Sequence, residues 1–173
     1  MTTDRPGFDA FVADRSRRLQ ATAYLLTRDA HLAEDLMQTA LTKAWFAWSR
    51  MDGDPEAYVR EIVFHTYLTW WRRKWRQETP TEEIPEPGSA FADGGSADAA
   101  DDRRDLWSAL GRLPARQRAV IVLRYYEDLT EAETARTLGC TVGTVKSQTS
   151  KALTKLRIDA TLRPATTYEG GRP

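Results

Sequence analysis

Leu129-Thr-Glu-Ala-Glu-Thr-Ala-Arg-Thr-Leu-Gly-Cys-Thr-Val-Gly-Thr-Val-Lys-Ser147 decides the reading of this chain. Thr130, followed three residues later by Glu133, is a capping box that opens a short helix through Leu138. Gly139-Cys140-Thr141 makes a tight turn, and Thr141 caps a second helix in which Val145, Thr149, Ala152, Leu153 and Leu156 recur on the inward side. Helix, glycine turn and helix in this order predict a helix-turn-helix. In that motif the second helix enters a DNA major groove, so its outward residues carry the chemistry. Here these are Thr144, Lys146, Ser147, Gln148, Ser150, Lys151 and Lys155. Lysine supplies phosphate or guanine contacts, glutamine can pair with adenine, and serine adapts to either role. An αα-hairpin with a solvated basic face has the same periodicity; the capping box, glycine turn and positive outer face together favour DNA. Cys140 reads as a small turn residue, not a nucleophile.

Working outward, Leu106, Leu110 and Leu113 mark a helix stopped by Pro114, and Val120, Ile121, Leu123 and Tyr125 mark another that ends near Glu127-Asp128. Upstream, Gln77 to Asp105 holds Pro80, Pro85, Pro87, Gly88, Gly94 and Gly95 with few apolar residues, the composition of a linker. Twenty-nine such residues are too many for a loop inside one compact domain. The N-terminal part is again helical. Phe8, Phe11, Val12, Leu19, Ala23 and Leu26 share one face; Asp29 caps a second helix carrying Leu32, Leu36, Ala40, Leu41, Ala44 and Trp45; Asp54 before Pro55 starts a third that reaches about Arg76. The expectation is an all-α chain of two small domains, 1–76 and 106–160, with a linker at 77–105 and a tail at 161–173.

Composition narrows the function classes. The 173 residues are 41% hydrophobic and 29% charged, with 25 Lys+Arg against 25 Asp+Glu. That neutrality is an average: residues 1–76 carry +2, 77–105 carry −7 and 106–173 carry +5. No apolar run approaches the ~20 residues of a membrane span, and the N-terminus lacks an export-signal pattern, so membrane insertion is not expected and a cytoplasmic location is. One cysteine, Cys140, excludes an intrachain disulfide, and with only His31 and His65 beside it no metal site or other cofactor is expected. Neither a phosphate loop nor a nucleophile–base pair is present, which speaks against an enzyme.

The third helix carries Tyr58, His65, Leu68, Trp70, Trp71 and Trp75, ending in Arg72, Arg73, Lys74 and Arg76. Aromatics interleaved with cations suit unpaired bases and their backbone, each stacked base contributing ~1–3 kcal/mol. A domain this small must also bury aromatics, so core and stacking roles compete for each tryptophan; Trp71 and Trp75, beside the basic cluster, are the expected exposed pair.

With Leu113-Pro-Ala-Arg-Gln-Arg before it and Lys151-Ala-Leu-Thr-Lys-Leu-Arg157 after it, the helix-turn-helix resembles region four of bacterial extracytoplasmic-function (ECF) sigma factors. Ala33-Glu-Asp-Leu-Met-Gln-Thr-Ala-Leu-Thr-Lys-Ala-Trp45 resembles the clamp-binding helix of their region two, and Tyr58-Val-Arg-Glu-Ile with Trp70-Trp-Arg-Arg-Lys-Trp75 resembles its promoter-melting helix. The wording is nearest the actinobacterial sigma-E-like sub-family. The resemblance implies a non-enzymatic factor that binds core RNA polymerase, reads a two-part promoter and starts strand opening. Matching positions imply core-polymerase contacts at Asp35, Leu36 and Gln38, with Trp45 in the core. They imply minus-ten contacts at Met51, Asp52, His65, Trp71, Arg72, Arg73, Lys74, Trp75 and Arg76, and minus-thirty-five contacts along Thr144 to Lys155. Its partners would be core polymerase, duplex promoter DNA, the melted non-template strand and, as a further candidate, an anti-sigma factor; the free chain is expected to be a monomer. His65 stands where many members place asparagine, and Gln148 where arginine is common, so promoter sequence does not transfer. A DNA-binding regulator with a sensory N-terminal half is the alternative, and it has no use for base-stacking aromatics.

Promoter elements about 25 base pairs apart are ~80 Å from each other at 3.4 Å per pair, and two domains of radius near 13 Å cover only part of that gap. A 29-residue tether has a root-mean-square span of ~30 Å and an extended limit near 100 Å, so it reaches only when stretched. Its acids Glu78, Glu82, Glu83, Glu86, Asp93, Asp98, Asp101 and Asp102 suit a path lined for nucleic acid, or merely keep a spacer solvated. Changing them to Asn or Gln at constant length is expected to tighten non-specific DNA binding by the free factor and weaken holoenzyme assembly; wild-type behaviour in both at low salt would leave only a spacer.

Overall fold

The computed structural model describes the backbone of residues 5–77 and 97–161 and the side chains of residues 5–73 and 104–157. Seven α-helices lie in this span: α1 Phe8–Thr27, α2 Ala30–Ala47, α3 Pro55–Gln77, α4 Ala97–Arg112, α5 Ala115–Ile121, α6 Glu131–Leu138 and α7 Val142–Thr161. No strand occurs among the described residues. A 3-10 turn at Trp48–Arg50 extends α2, and a π-helical turn at Val122–Tyr126 extends α5. The expected N-caps are in place: Asp29 Oδ1 accepts from Leu32 N at 2.9 Å and Asp54 Oδ1 from Glu56 N at 3.0 Å. One boundary differs. α4 begins at Ala97, inside the expected linker, because Ala97-Asp-Ala-Ala-Asp-Asp102 combines the best helix former with acids that favour a helix N-terminus. Residues 78–96 and the tail beyond 161 lie outside the described residues, with most of the acids singled out above.

The first three helices pack together, and aromatic rings close their open end. Phe8 meets Trp45 and Trp48 edge-on, both with centroids 5.1 Å away, and Trp48 Nε1 donates to the Pro6 carbonyl at 3.1 Å. Trp45 is therefore half-buried against α1, as expected.

The two halves then share one core. Leu19, Ala23, Tyr24 and Leu26 of α1, Leu36 and Met37 of α2, and Val59, Val63, Phe64 and Tyr67 of α3 belong to the same buried cluster as Trp107, Val120, Leu123, Ala135, Leu138 and Val145. Trp107 stacks on Tyr24 with centroids 4.5 Å apart, while the Arg28 guanidinium lies 5.2 Å from its ring centre. Arg28 itself ends α1 with φ 57 and reaches across to α4. A Cβ on Gly111 would stand 1.8 Å from that guanidinium, so glycine permits the close approach.

Two buried charges cross the junction. Arg118, 4% exposed, donates from Nη1 to the Leu26 carbonyl at 2.7 Å, from Nε to Leu110 O at 2.9 Å, and from Nη2 to Gly111 O and Leu113 O at 3.2 Å. It thus caps the carbonyl ends of α1 and α4 at once. Glu127 goes the other way. The π turn bonds Glu127 N to Val122 O at 3.0 Å and directs its carboxylate onto α1 and α3. There Thr22 Oγ1 donates to it at 2.5 Å, Arg60 Nε stands 3.4 Å away and Arg18 Nη2 3.5 Å.

Because the core is continuous, urea is expected to unfold the chain in a single cooperative transition. Arg118→Gln should lower its stability by on the order of 3 kcal/mol, since four carbonyls lose charge-assisted bonds and only some regain water. Two separate transitions in the wild type would count against the shared core.

Candidate nucleic-acid interface

Local chemistry builds the helix-turn-helix. Thr130 Oγ1 accepts from Glu133 N at 3.1 Å and Glu133 Oε2 from Thr130 N at 2.8 Å, closing the capping box. Those two Thr130 bonds, backbone first, hold the Glu133 carboxyl below the usual carboxylate range, with Arg136 and Arg60 adding smaller pulls. Gly139 turns the chain at φ 66, Cys140 N reaches back to Ala135 O at 3.0 Å, and Thr141 Oγ1 accepts from Thr144 N at 3.1 Å to start α7. Val145 and Ala152 are fully buried and set the helix's rotation. Lys146, Ser147, Ser150, Lys151 and Lys155 are consequently exposed and Gln148 half-exposed, which brings the expected reading face together. Thr144 is half-buried, its hydroxyl 3.0 Å from that of Thr141, so it serves the cap first. Two charges escaped the sequence reading. Arg157 shares a shallow groove with Lys146 and Ser150, a position that i, i+4, i+7, i+11 spacing on α7 could have revealed. Glu131 of α6 stands 3.9 Å from Lys146 and partly satisfies it.

On α3 the expected minus-ten residues separate. His65 is exposed, 3.9 Å from Glu61, and faces the turn of the helix-turn-helix, since a Cβ on Gly139 would lie 3.6 Å from its Cε1. Trp71 is half-buried, not exposed as expected: it meets Tyr67 edge-on at 6.3 Å and lies under the Arg118 guanidinium at 5.9 Å. The Tyr67 phenol is pushed up to about 12, by burial above all, with Arg118 opposing. Arg72 and Arg73 are exposed, and the side chains of Lys74, Trp75 and Arg76 lie outside the described residues. Met51, half-buried, and Asp52, exposed, precede α3. The helix start at Pro55, which they precede, is ~15 Å along the axis from His65 at 1.5 Å per residue, so the structure does not bring them onto Trp71.

The second candidate surface lies on α2. Asp35 and Gln38 are exposed and line a shallow groove with Leu32, Thr39 and Trp70. Leu36 does not belong to it: the side chain is wholly buried because its position falls on the inward stripe with Ala33 and Ala40. Leu32, expected inward, is 43% exposed and gives the groove an apolar edge. Among the described residues no cluster of metal-ligating side chains occurs, and no helix is long and apolar enough to cross a membrane.

Comparison with known proteins agrees with both halves. The family described as Sigma-70 region 2 matches residues 11–77, and the family described as Sigma-70, region 4 matches residues 103–156. The RNA polymerase sigma-E factor of Streptomyces coelicolor is 37% identical over 158 residues, covering 90% of this chain and 87% of that protein. The ECF RNA polymerase sigma factor SigM of Mycobacterium tuberculosis is 31% identical over 156 residues, covering 88% and 76%. In solved structures, the sigma factor RpoE of Bartonella quintana, in complex with the anti-sigma factor NepR, shares the fold with TM-score 0.67 at 24% identity, covering 91% of this chain and 98% of that one.

Replacing Lys146 and Lys151 by Gln is expected to lower the log–log salt slope of duplex binding by about one for each phosphate no longer neutralised, as read by fluorescence anisotropy. Glu131→Gln should move affinity the other way by a few-fold at low salt, because an exposed ion pair stabilises by only ~0.2–1 kcal/mol.

Proposed function

Because the chain belongs to the ECF sigma factors of the sigma-70 family, proteins that bind core RNA polymerase and direct it to promoters, we infer how its surfaces divide that work. The carrying observation is that both region families match, in order, halves that contain the reading helix α7 and the aromatic, basic α3. Residues 1–76 form the polymerase-binding and minus-ten unit, 106–160 the minus-thirty-five unit, and the stretch between them tethers the two. Asp35 and Gln38 dock on the clamp helices of the polymerase, with Leu32 and Trp70 supplying apolar contact in the same groove. His65, Arg72 and Arg73, with Met51, Asp52, Lys74, Trp75 and Arg76, hold the minus-ten element. Trp71 joins them once the halves part. α7 reads the upstream element in the major groove through Lys146, Ser147, Gln148, Ser150, Lys151 and Lys155.

The factor acts by binding and not by making or breaking bonds, and it works in the cytoplasm, where the polymerase is. An anti-sigma factor, the kind of partner found with RpoE, is a further candidate ligand of the closed form. The closed form itself cannot initiate. His65 lies beside the turn that precedes α7, where a Cβ on Gly139 would stand 3.6 Å from its Cε1, whereas the two promoter elements are ~80 Å apart. Polymerase binding must therefore draw the halves apart.

Transcription reconstituted from purified core enzyme and this chain, with the start sites mapped, tests the function directly. Asp35→Ala combined with Gln38→Ala should weaken core affinity at least tenfold in a titration while circular dichroism stays unchanged; full affinity would remove the groove on α2 from the interface.

A further inference from the structure

We propose that Arg18, Arg60 and the Thr22 hydroxyl form a binding site for a phosphate of the melted non-template strand, and that Glu127 occupies this site as an internal anion while the chain is closed. The proposal rests on the reading of α3 as the strand-melting helix. Neither arginine stands in the basic run 72–76 from which that reading came.

The site is built like an anion receptor. The Glu127 side chain is 2% exposed, and its carboxylate is held by a hydroxyl donor at 2.5 Å and two guanidiniums at 3.4 and 3.5 Å. Arg60, 12% exposed, turns its buried Nε toward that carboxylate, and only its Nη2 reaches another acid, Glu56, at 3.7 Å. Every hydrogen bond and ion pair described for the Glu127 carboxylate comes from α1 or α3. These contacts therefore exist only while the halves are together.

Position supplies the ligand. Arg60, Phe64 and Trp71 are spaced four and seven residues apart, which puts Arg60 and Trp71 on one stripe of α3, the stripe that the C-terminal half covers. His65 adjoins it, exposed beside the Gly139 turn. Arg60 lies on the order of 16 Å along the helix from Trp71. A strand whose bases reach both Asp52, just before α3, and Trp71 runs its backbone past Arg60, and when the halves separate the arginines lose one anion as that strand arrives with another. A phosphate oxygen suits two guanidiniums and a hydroxyl at least as well as a carboxylate does.

Two arms test this with the full chain. In holoenzyme, Arg18→Gln with Arg60→Gln should shorten the open-complex lifetime under heparin challenge about tenfold, and Lys at both positions should restore most of it. In the free factor, Glu127→Gln, which leaves both arginines untouched, should raise affinity for a short oligothymidylate at least tenfold. The salt slope should steepen by ~0.7 for each phosphate engaged. A wild-type lifetime in the double Gln holoenzyme, or unchanged oligothymidylate affinity in Glu127→Gln, overturns the proposal. If the double Gln variant fails to fold, the Lys pair and Glu127→Gln decide it. Failure of wild-type holoenzyme to open any promoter would instead overturn the initiation reading on which the site depends.

Discussion

A buried guanidinium ringed by four backbone carbonyls organises this molecule. Arg118 cannot leave its place without exposing the ends of α1 and α4 to unpaired burial, because its Nη1 serves Leu26 while its other nitrogens serve Leu110, Gly111 and Leu113. The last-turn carbonyls carry partial negative charge, so helix ends do the work of a counter-anion. Burial and the neighbouring Arg118 and Arg112 also pull the Arg28 pKa below its ordinary value. Three guanidiniums thus crowd the junction of α1 and α4. They are tolerated because one is bonded to four carbonyls and another has its guanidinium 5.2 Å from the ring centre of Trp107.

The tryptophans show how a small domain divides one residue type between two tasks. Trp45 and Trp48 are held by Phe8 and Phe11 at the end of α1, a purely local arrangement within the first three helices. Trp71 differs, since its neighbours include Tyr67 of its own helix and Arg118 of the other half. Separation of the halves, as proposed above, would remove Arg118 from it and leave the ring beside a basic helix end. On the function proposed above, the same side chain serves the closed core and a stacked base in turn, so that the choice between core and stacking would depend on the state of the chain.

Local signals carried most of the fold into the sequence. Asp29, the Thr130–Glu133 box and Gly139 act over three or four residues, and each is where its spacing says it should be. Leu36 marks the limit of reading by resemblance: helical periodicity already placed it inward, and the motif that named it as a contact had merged a buried position with its exposed neighbours Asp35 and Gln38. The start of α4 was hidden for a different reason, because acid-rich alanine sequence reads equally as solvated tether or as exposed helix. Nothing local announces the junction. Arg118 finds Leu26 across 92 residues and Glu127 finds Thr22 across 105, and no spacing rule reaches that far. The π turn that aims Glu127 is equally silent, since Val122-Leu-Arg-Tyr-Tyr126 would continue an α-helix by pattern.

On the opening proposed above, closure and polymerase binding are linked through one equilibrium. If the polymerase engages only the open chain, each stabilising contact of the junction lowers apparent affinity for it by the factor by which that contact favours the closed state. Moving a chain from 1% to 99% open takes about 5.5 kcal/mol of differential binding. Fully burying one large apolar side chain stabilises by ~1.5–3 kcal/mol, and the junction holds the Tyr24–Trp107 stack beside its buried charges. A few such contacts are enough to keep the free factor closed, yet weak enough for an extended polymerase surface to overcome. Loosening Tyr24 or Trp107 would then strengthen polymerase association while weakening the fold, and opposite signs of that kind separate a regulatory junction from an ordinary core.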